Sequence, residues 1–187
     1  MIDATAILDS AEQFRSEILA DRRNLHRSPE VGTCLPETSA YVKRRLTALG
    51  YEPEEICESG IIASITGEDT GRCILLRADM DALRITEQAD LAFRSENGAM
   101  HACGHDMHAT ALLGAARLLK ARETELVDAN ATVKLLFQPG EETFEGARAA
   151  IADGLLQNPR PQAAFAMHVN SQSPLGLVLY GSPALSG

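Results

Sequence analysis

The fold follows from one stretch near the middle of the chain, Ile74-Leu75-Leu76-Arg77-Ala78-Asp79-Met80-Asp81, a mostly apolar run that ends in two aspartates. A short apolar run of this kind predicts a buried β-strand. Two later runs share the pattern: one leads to Glu141 and Glu142, and the other leads to His168. Polar side chains therefore follow three of the predicted strands.

Along the rest of the chain, the spacing of apolar residues alternates between the periods of helices and strands. This alternation predicts an α/β fold, in which parallel strands present the loops after them at one edge of the sheet. The side chains that follow the strands can therefore converge on one site. We predict helices over residues 7–26, 36–49, 106–121 and 145–153, and strands over residues 61–66, 73–78, 131–137, 163–167 and 176–180.

A second stretch, Met100-His101-Ala102-Cys103-Gly104-His105-Asp106-Met107-His108, holds three of the five histidines of the chain. Imidazole and thiolate bind borderline-soft divalent metals, and Cys103 and His105 can turn toward one point across a glycine. The alternative is that these histidines pack in the core or lie on the surface by chance. The stretch as a whole predicts a metal site.

The acids and the histidine that follow the strands also allow structural interpretations. Asp79 and Asp81 could cap a turn, and the pair Glu141-Glu142 could complement the dipole of a helix that begins there. His168 alone could be a packed or solvent-exposed histidine. Their joint position beyond the strands favours a shared site.

Composition limits the partners and the compartment. The formal net charge of −9 disfavours nucleic acid and anionic membranes as partners, because both select clustered lysine and arginine. No apolar run approaches the roughly 20 residues of a membrane span, and the first residues show no secretory signal. Four scattered cysteines do not form the pattern of a disulfide framework. We expect one large domain in the cytoplasm.

Five segments stand out together: Leu25-His26-Arg27-Ser28-Pro29-Glu30, Leu76-Arg77-Ala78-Asp79-Met80-Asp81-Ala82-Leu83, Met100-His101-Ala102-Cys103-Gly104-His105-Asp106-Met107-His108, Phe137-Gln138-Pro139-Gly140-Glu141-Glu142 and Met167-His168. In this order they resemble the amino-terminal half of a family of dinuclear-metal amidohydrolases and peptidases. The family includes hippurate hydrolase, aminoacylases and indoleacetyl-amino-acid hydrolases. Five concordant segments across most of the chain are more specific than a single short motif.

The resemblance implies a role for each matching position. Glu141 would be the general base and acid that takes a proton from water and gives it to the leaving nitrogen of an amide. The implied metal ligands are Cys103, His105, Glu142 and His168. The groups that would orient or support those ligands are Asp79, Asp81, His101, Asp106 and His108.

The resemblance also implies two divalent metal ions per site. Thiolate and imidazole ligands argue against magnesium and calcium and leave zinc, manganese, cobalt and nickel as alternatives. Such ions polarise an amide carbonyl and lower the pKa of a bound water to about 7. The implied fold is a zinc-exopeptidase-like catalytic domain, with a central mixed, mostly parallel sheet flanked by helices.

The sequence departs from the family pattern in two ways. It ends at Gly187, where the family continues into an α+β lid that carries dimer contacts. Residues 1–187 would then be the amino-terminal part of the catalytic domain, with the lid, its substrate-binding residues and the last histidine ligand outside it, and the oligomeric state left open. In addition, Thr143-Phe144-Glu145-Gly146 replaces a glycine-rich stretch after the paired glutamates.

The sequence leaves several functions open. The first is a metal-dependent hydrolase that cleaves the amide bond of N-acyl amino acids or similar peptide-like substrates, impaired as this truncated chain. The second is a catalytically incompetent metal-binding fragment that acts as a folding or assembly unit. A third, thiol-based interpretation uses Cys103 as the nucleophile with His105 or His101 as its base, but it leaves the paired glutamates and His168 without roles.

Overall fold

A computed structural model describes residues 4–66 and 71–180 of the chain. The helices are α1 (Ala4–Gln13), α2 (Arg15–Arg27), α3 (Pro36–Ala48), α4 (His105–Lys120), α5 (Glu123–Asp128) and α6 (Gly146–Ala152). The strands are β1 (Glu54–Ile56), β2 (Gly60–Ile65), β3 (Cys73–Asp79), β4 (Thr132–Gln138) and β5 (Ala163–Ala166). The predicted α/β class is confirmed.

The strands form one sheet in the order β1-β2-β4-β3-β5. β3 pairs in parallel with both β4 and β5, whereas β2 pairs in antiparallel fashion with β1 and β4. Within the described residues, two of the four strand pairings are therefore parallel and two are antiparallel. The predicted mixed sheet flanked by helices is confirmed, and its parallel half carries the strand ends that were expected to hold the site.

The core lies mainly between the sheet and the layer of α2, α3 and α4. β4 is buried along its whole length, which is why its sequence is continuously apolar apart from Lys134 and its two ends. Alternation along β4 sends Val133, Leu135 and Phe137 into the larger core cluster and Leu136 into a smaller one near α6. Two packed faces hold β3 and β4 in place, and so fix where their carboxyl ends lie.

Several elements differ from the sequence prediction. The helix predicted over residues 7–26 divides at Phe14, whose N–H bonds to the oxygen of Ala11, three residues back, although the apolar spacing continues across the break. The strand predicted over residues 176–180 is wrong, because the N–H of Leu177 closes a turn onto Pro174 and these residues pair with no strand in the described part of the chain. The short elements β1 and α5 carry too little periodicity to predict.

Within residues 4–66 and 71–180, no helix combines the length and the apolar character that a transmembrane span requires.

Candidate metal centre

The site lies at the carboxyl ends of the parallel strands, next to the start of α4. β3 ends at Asp79, β4 leads into the loop of Glu141 and Glu142, and β5 leads to His168. α4 begins at His105 and faces these strand ends. The structure thus brings the predicted acids and histidines to the same edge of the sheet.

Gly104 lets the chain turn between Cys103 and His105. Its φ of +86° lies in the left-handed region that residues with a Cβ rarely adopt. A Cβ at this position would also collide with Cγ2 of Val169. The two predicted ligands therefore flank a glycine that the fold requires.

The imidazole of His105 is surrounded by four carboxylates. Its Nδ1 lies 3.7 Å from Asp79 Oδ1 and 3.5 Å from Asp81 Oδ1. Its Nε2 lies 3.8 Å from Glu141 Oε2 and 3.7 Å from Glu142 Oε1. Burial by itself would lower the pKa of His105, but the surrounding carboxylates raise it. The centre therefore holds an excess of negative charge around one imidazole.

Buried polar atoms without hydrogen-bond partners mark a place for a cation. Among the described residues, these include both ring nitrogens of His105, Oδ1 of Asp81 and Oε1 of Glu142. Such groups cost free energy unless an ion or water satisfies them. Three groups of side chains could each hold an ion, because the donor atoms within each group all lie within 4.8 Å of one another. The groups are Cys103, His105 and His168; His105, Glu141 and Glu142; and Asp79, His105 and His108. Thiolate, imidazole and carboxylate donors fit a divalent transition metal.

Cys103 and His168 meet from different parts of the fold. The Sγ atom lies 3.4 Å from Nε2 of His168, and Nδ1 of His168 lies 2.7 Å from the backbone oxygen of Val169. With Nδ1 donating to that oxygen, Nε2 is left as the atom that can bind a metal. Burial, together with the charges of Glu142 and Glu141, raises the pKa of Cys103 to about 11. A nearby cation is therefore needed to convert this thiol to thiolate at neutral pH.

His108 uses both ring nitrogens in hydrogen bonds. Nδ1 lies 2.6 Å from Asp79 Oδ1, and Nε2 accepts the backbone N–H of Val169 at 2.9 Å. Nη1 of Arg77 donates to the other oxygen of Asp79 at 2.6 Å. Burial would raise the pKa of Asp79, but the hydrogen bond with His108 and the charge of Arg77 lower it to about 2. Asp79 and His108 thus connect strand ends instead of offering free ligand atoms.

Asp81 connects β3 to the loop that carries the paired glutamates. Its Oδ2 accepts the backbone N–H of Glu142 at 3.0 Å. In the same loop, Phe144 is 84% exposed and has a φ of +59°, a conformation that glycine adopts at lower cost. The departure from the glycine-rich family pattern therefore puts a strained, exposed phenylalanine three residues beyond Glu141.

Asp106 and His101 belong to none of the three donor sets. Oδ2 of Asp106 lies 2.8 Å from Nδ1 of His26 and accepts a hydrogen bond from Nε of Arg22 at 2.9 Å. His101 is buried, and burial lowers its pKa to about 4, so the ring is neutral at physiological pH. Neither His26 nor Arg22 is among the residues that the sequence pattern predicts for the site. The signal that could have pointed to His26 is its place in the segment of residues 25–30.

The sequence model of peptidase family M20/M25/M40 matches residues 75–180, which is more than half of the chain. The chain belongs to this family. The M20 relatives include the N-acetylcysteine deacetylase of Bacillus subtilis (strain 168), 39% identical over 168 residues that cover 88% of this chain and 43% of the relative. IAA-amino acid hydrolase ILR1-like 4 of Arabidopsis thaliana is 42% identical over 173 residues, covering 91% of this chain and 38% of the relative. The family resemblance seen in the motifs is confirmed.

A solved M20 structure gives the same result for the fold. The Bacillus subtilis YXEP protein, described as a dinuclear metal binding peptidase from the M20 family, matches with a TM-score of 0.81 at 39% identity. The match covers 88% of this chain and 46% of that chain. The predicted catalytic-domain fold is confirmed. This chain spans less than half the length of these relatives.

Proposed function

We propose that this chain forms the metal-binding and proton-transfer part of an amidohydrolase that cleaves N-acyl amino acids. The single observation that carries the proposal is His105, a buried imidazole with two unpaired nitrogens among four carboxylates. A purely structural histidine would be expected to have hydrogen-bonded neighbours in place. The arrangement instead has the donors and the charge that two divalent cations require.

Four side chains are the proposed ligands. The thiolate and the imidazoles favour zinc, manganese, cobalt or nickel over magnesium or calcium. Bound cations of this kind polarise an amide carbonyl and acidify a water molecule. The proposed ligands are Cys103, His105, Glu142 and His168.

Glu141 is the proposed general base and acid. Its side chain is 34% exposed, whereas that of Glu142 is 23% exposed and has one oxygen completely buried. Glu142 is also tied to β3 through its backbone N–H and Asp81. The more accessible carboxylate is better placed to take a proton from water and to pass it to a leaving nitrogen. The buried neighbour is better suited to hold a metal ion.

The proposed substrate class rests on the relatives. Two of them are named as an N-acetylcysteine deacetylase and an IAA-amino acid hydrolase, and both names describe an acyl group joined to an amino acid. We extend this class, a small N-acyl amino acid or peptide-like molecule, to this chain. The net charge of −9 disfavours nucleic acid as a partner. Four free cysteines support a reducing cytoplasm as the compartment.

The alternative is a metal-binding fragment without turnover. Its support is the length of the chain, which covers only 43% of the deacetylase. Purified chain should be analysed for bound metal and tested for chelator-sensitive release of amino acid from hippurate and N-acetyl amino acids. Metal with turnover supports the hydrolase. Metal without turnover selects the fragment, and absence of metal binding contradicts both.

The thiol-based alternative has one observation in its favour, the contact of Cys103 with His168. The raised pKa of Cys103 opposes it, because a nucleophilic cysteine needs a substantial thiolate fraction near neutral pH. Turnover that survives complete chelation but is lost on alkylation of Cys103 would support the thiol mechanism.

A further inference from the structure

A second buried polar cluster lies beside the metal centre and is centred on His26. The ring is 3% exposed. Nδ1 lies 2.8 Å from Asp106 Oδ2, and Nε2 lies 3.0 Å from Glu87 Oε1. The buried ring of His26 is therefore held on both sides, with one ring nitrogen against each acid.

The two acids have further partners that balance and orient them. Arg22 donates through Nε to the same oxygen of Asp106 at 2.9 Å. The other oxygen of Glu87 accepts the backbone N–H of Ser95 at 2.6 Å. An imidazole, a guanidinium and a backbone N–H thus face the two carboxyl groups, which gives the buried acids hydrogen-bonding partners.

The cluster joins three parts of the fold that lead to the metal centre. His26 belongs to α2, and Asp106 directly follows His105 in the first turn of α4. Glu87 lies in the irregular segment, residues 84–99, that precedes Cys103 and His105. This segment contains no helix or strand, so side-chain contacts help to hold it in place. Two further contacts connect it to α2 and the residues just after: Asn97 donates to the oxygen of Pro29 at 2.8 Å, and the ring centroid of Phe93 lies 5.1 Å from Cζ of Arg22.

We propose that His26 is a positioning residue for the metal centre. Its ring fixes the irregular segment on one side, through Glu87, and the first turn of α4 on the other, through Asp106. It thereby sets the direction from which Cys103 and His105 reach the carboxylates of β3 and the β4 loop. The proposal rests on the proposed metal-binding function, and the hydrogen bonds and ring contacts of His26 involve none of the proposed ligands.

The substitution His26→Gln tests this role. Glutamine has its polar atoms at one end, whereas the imidazole has a nitrogen on each side, so one of the two buried carboxylates loses its partner. Loss of a partner bonded directly to a ligand typically weakens metal binding about 10- to 100-fold, and we expect a loss in this range. Glu87→Gln removes the charge from the other end of the same contact at nearly constant volume, and we expect a smaller loss, about 10-fold.

Asp21→Asn is the matched control. Asp21 is a buried acid on the same helix as His26, and it accepts hydrogen bonds from Tyr41 at 2.7 Å and from Arg45 Nη2 at 3.2 Å. These contacts join α2 to α3 and do not involve the metal centre. The substitution should lower the stability of the fold while leaving metal affinity unchanged.

The experiment is a Co²⁺ titration of residues 1–187 as wild type and as the three variants, followed by thermal unfolding of each. Absorption from thiolate-to-cobalt charge transfer reports whether Cys103 binds the ion, which a general loss of stability would not alter. We expect His26→Gln to bind Co²⁺ about 10- to 100-fold more weakly than wild type, with less thiolate absorption per bound ion. Asp21→Asn should match wild type in both respects.

The outcomes separate the two proposals. If wild type fails to bind Co²⁺, the proposed function fails. If wild type binds but His26→Gln and Glu87→Gln match it in affinity and spectrum, the positioning role is overturned. An equal loss of affinity in Asp21→Asn also overturns it, because the effect would then reflect stability alone. If His26→Gln does not fold, Glu87→Gln decides the question by the same criteria.

Discussion

His108 accepts the backbone N–H of Val169 through Nε2 at a distance of 2.9 Å. A side chain on α4 therefore fixes the residue that directly follows His168. Because the other nitrogen of His108 lies 2.6 Å from Asp79, the end of β3 is joined to the segment after β5 through one imidazole. These two hydrogen bonds help to keep His168 close to Cys103. They leave the side chains of both residues available to bind a metal ion.

We predict that His108→Phe lowers the free energy of unfolding by about 2–4 kcal/mol, because it removes two hydrogen bonds and leaves the charge of Asp79 with one partner fewer. Urea unfolding in the presence of a chelator measures the loss. Metal affinity should fall as well, because the segment that carries His168 loses an anchor. His108→Gln, which keeps one donor, should be less affected, and equal stability of the two variants would contradict this explanation.

We predict that Glu141→Gln reduces hydrolysis by about 10²- to 10⁴-fold, the range typical of a lost general base, while metal content stays the same. Glu142→Gln is the comparison, and it should lose metal. Elemental analysis and release of amino acid from N-acetyl substrates measure the two effects. Near-normal turnover by Glu141→Gln would show that another group moves the proton.

We predict that Gly104→Ala destabilises the fold by about 2–5 kcal/mol, the sum of the strain of a left-handed backbone and a side-chain collision. Its φ is +86°, and the new Cβ would meet Val169. Gly154→Ala is a matched control, because Gly154 has a φ of +95° and nothing within 4 Å of its Cβ position. The control should lose only about 1–2 kcal/mol. Similar values for both in urea unfolding would rule out the collision.

The lowered pKa of Glu87 leads us to predict that the stability of the fold depends on pH. Burial would raise its pKa, but hydrogen bonds with His26 and the backbone of Ser95 lower it below the ordinary value of 4.5. A carboxyl with a lowered pKa in the folded state contributes stability that is present above the unfolded pKa and is lost as the pH falls through the folded pKa. The difference in unfolding free energy between wild type and Glu87→Gln should therefore be largest above about pH 5 and shrink toward about pH 3. A difference that stays constant over this range in urea unfolding would contradict the assignment.

The raised pKa of Cys103 leads to a prediction about how fast its thiol reacts with and without bound metal. Burial and the neighbouring carboxylates raise its pKa to about 11, so it holds far less thiolate at neutral pH than an ordinary cysteine does. Iodoacetamide should therefore modify Cys103 slowly in the chelated protein, and faster as the pH rises. Bound Zn²⁺ should release protons and protect the sulfur. Peptide mapping separates Cys103 from exposed Cys34, and alkylation of Cys103 unaffected by zinc would argue against its role as a ligand.

Much of the fold could be predicted because its signals are local. The runs that became β3, β4 and β5 are apolar over several consecutive residues, and the acids and histidine follow them directly in the chain. The strand expected over residues 176–180 is wrong because a strand also needs a pairing partner, which is not a local feature of the sequence. An apolar run becomes a strand only where another strand offers free backbone groups, and a run by itself does not show whether such a strand is near.

The sequence by itself determined which donors are available, the glycine between Cys103 and His105, and the order of strands and helices. These features depend on residues that lie next to one another in the chain. Only the tertiary structure decided which carboxylates surround His105, that His108 supports the chain beyond His168, and that His26 joins Glu87 to Asp106. Those partners are 24 to 80 residues apart, and contact between them depends on packing that brings distant parts of the chain within a few ångströms.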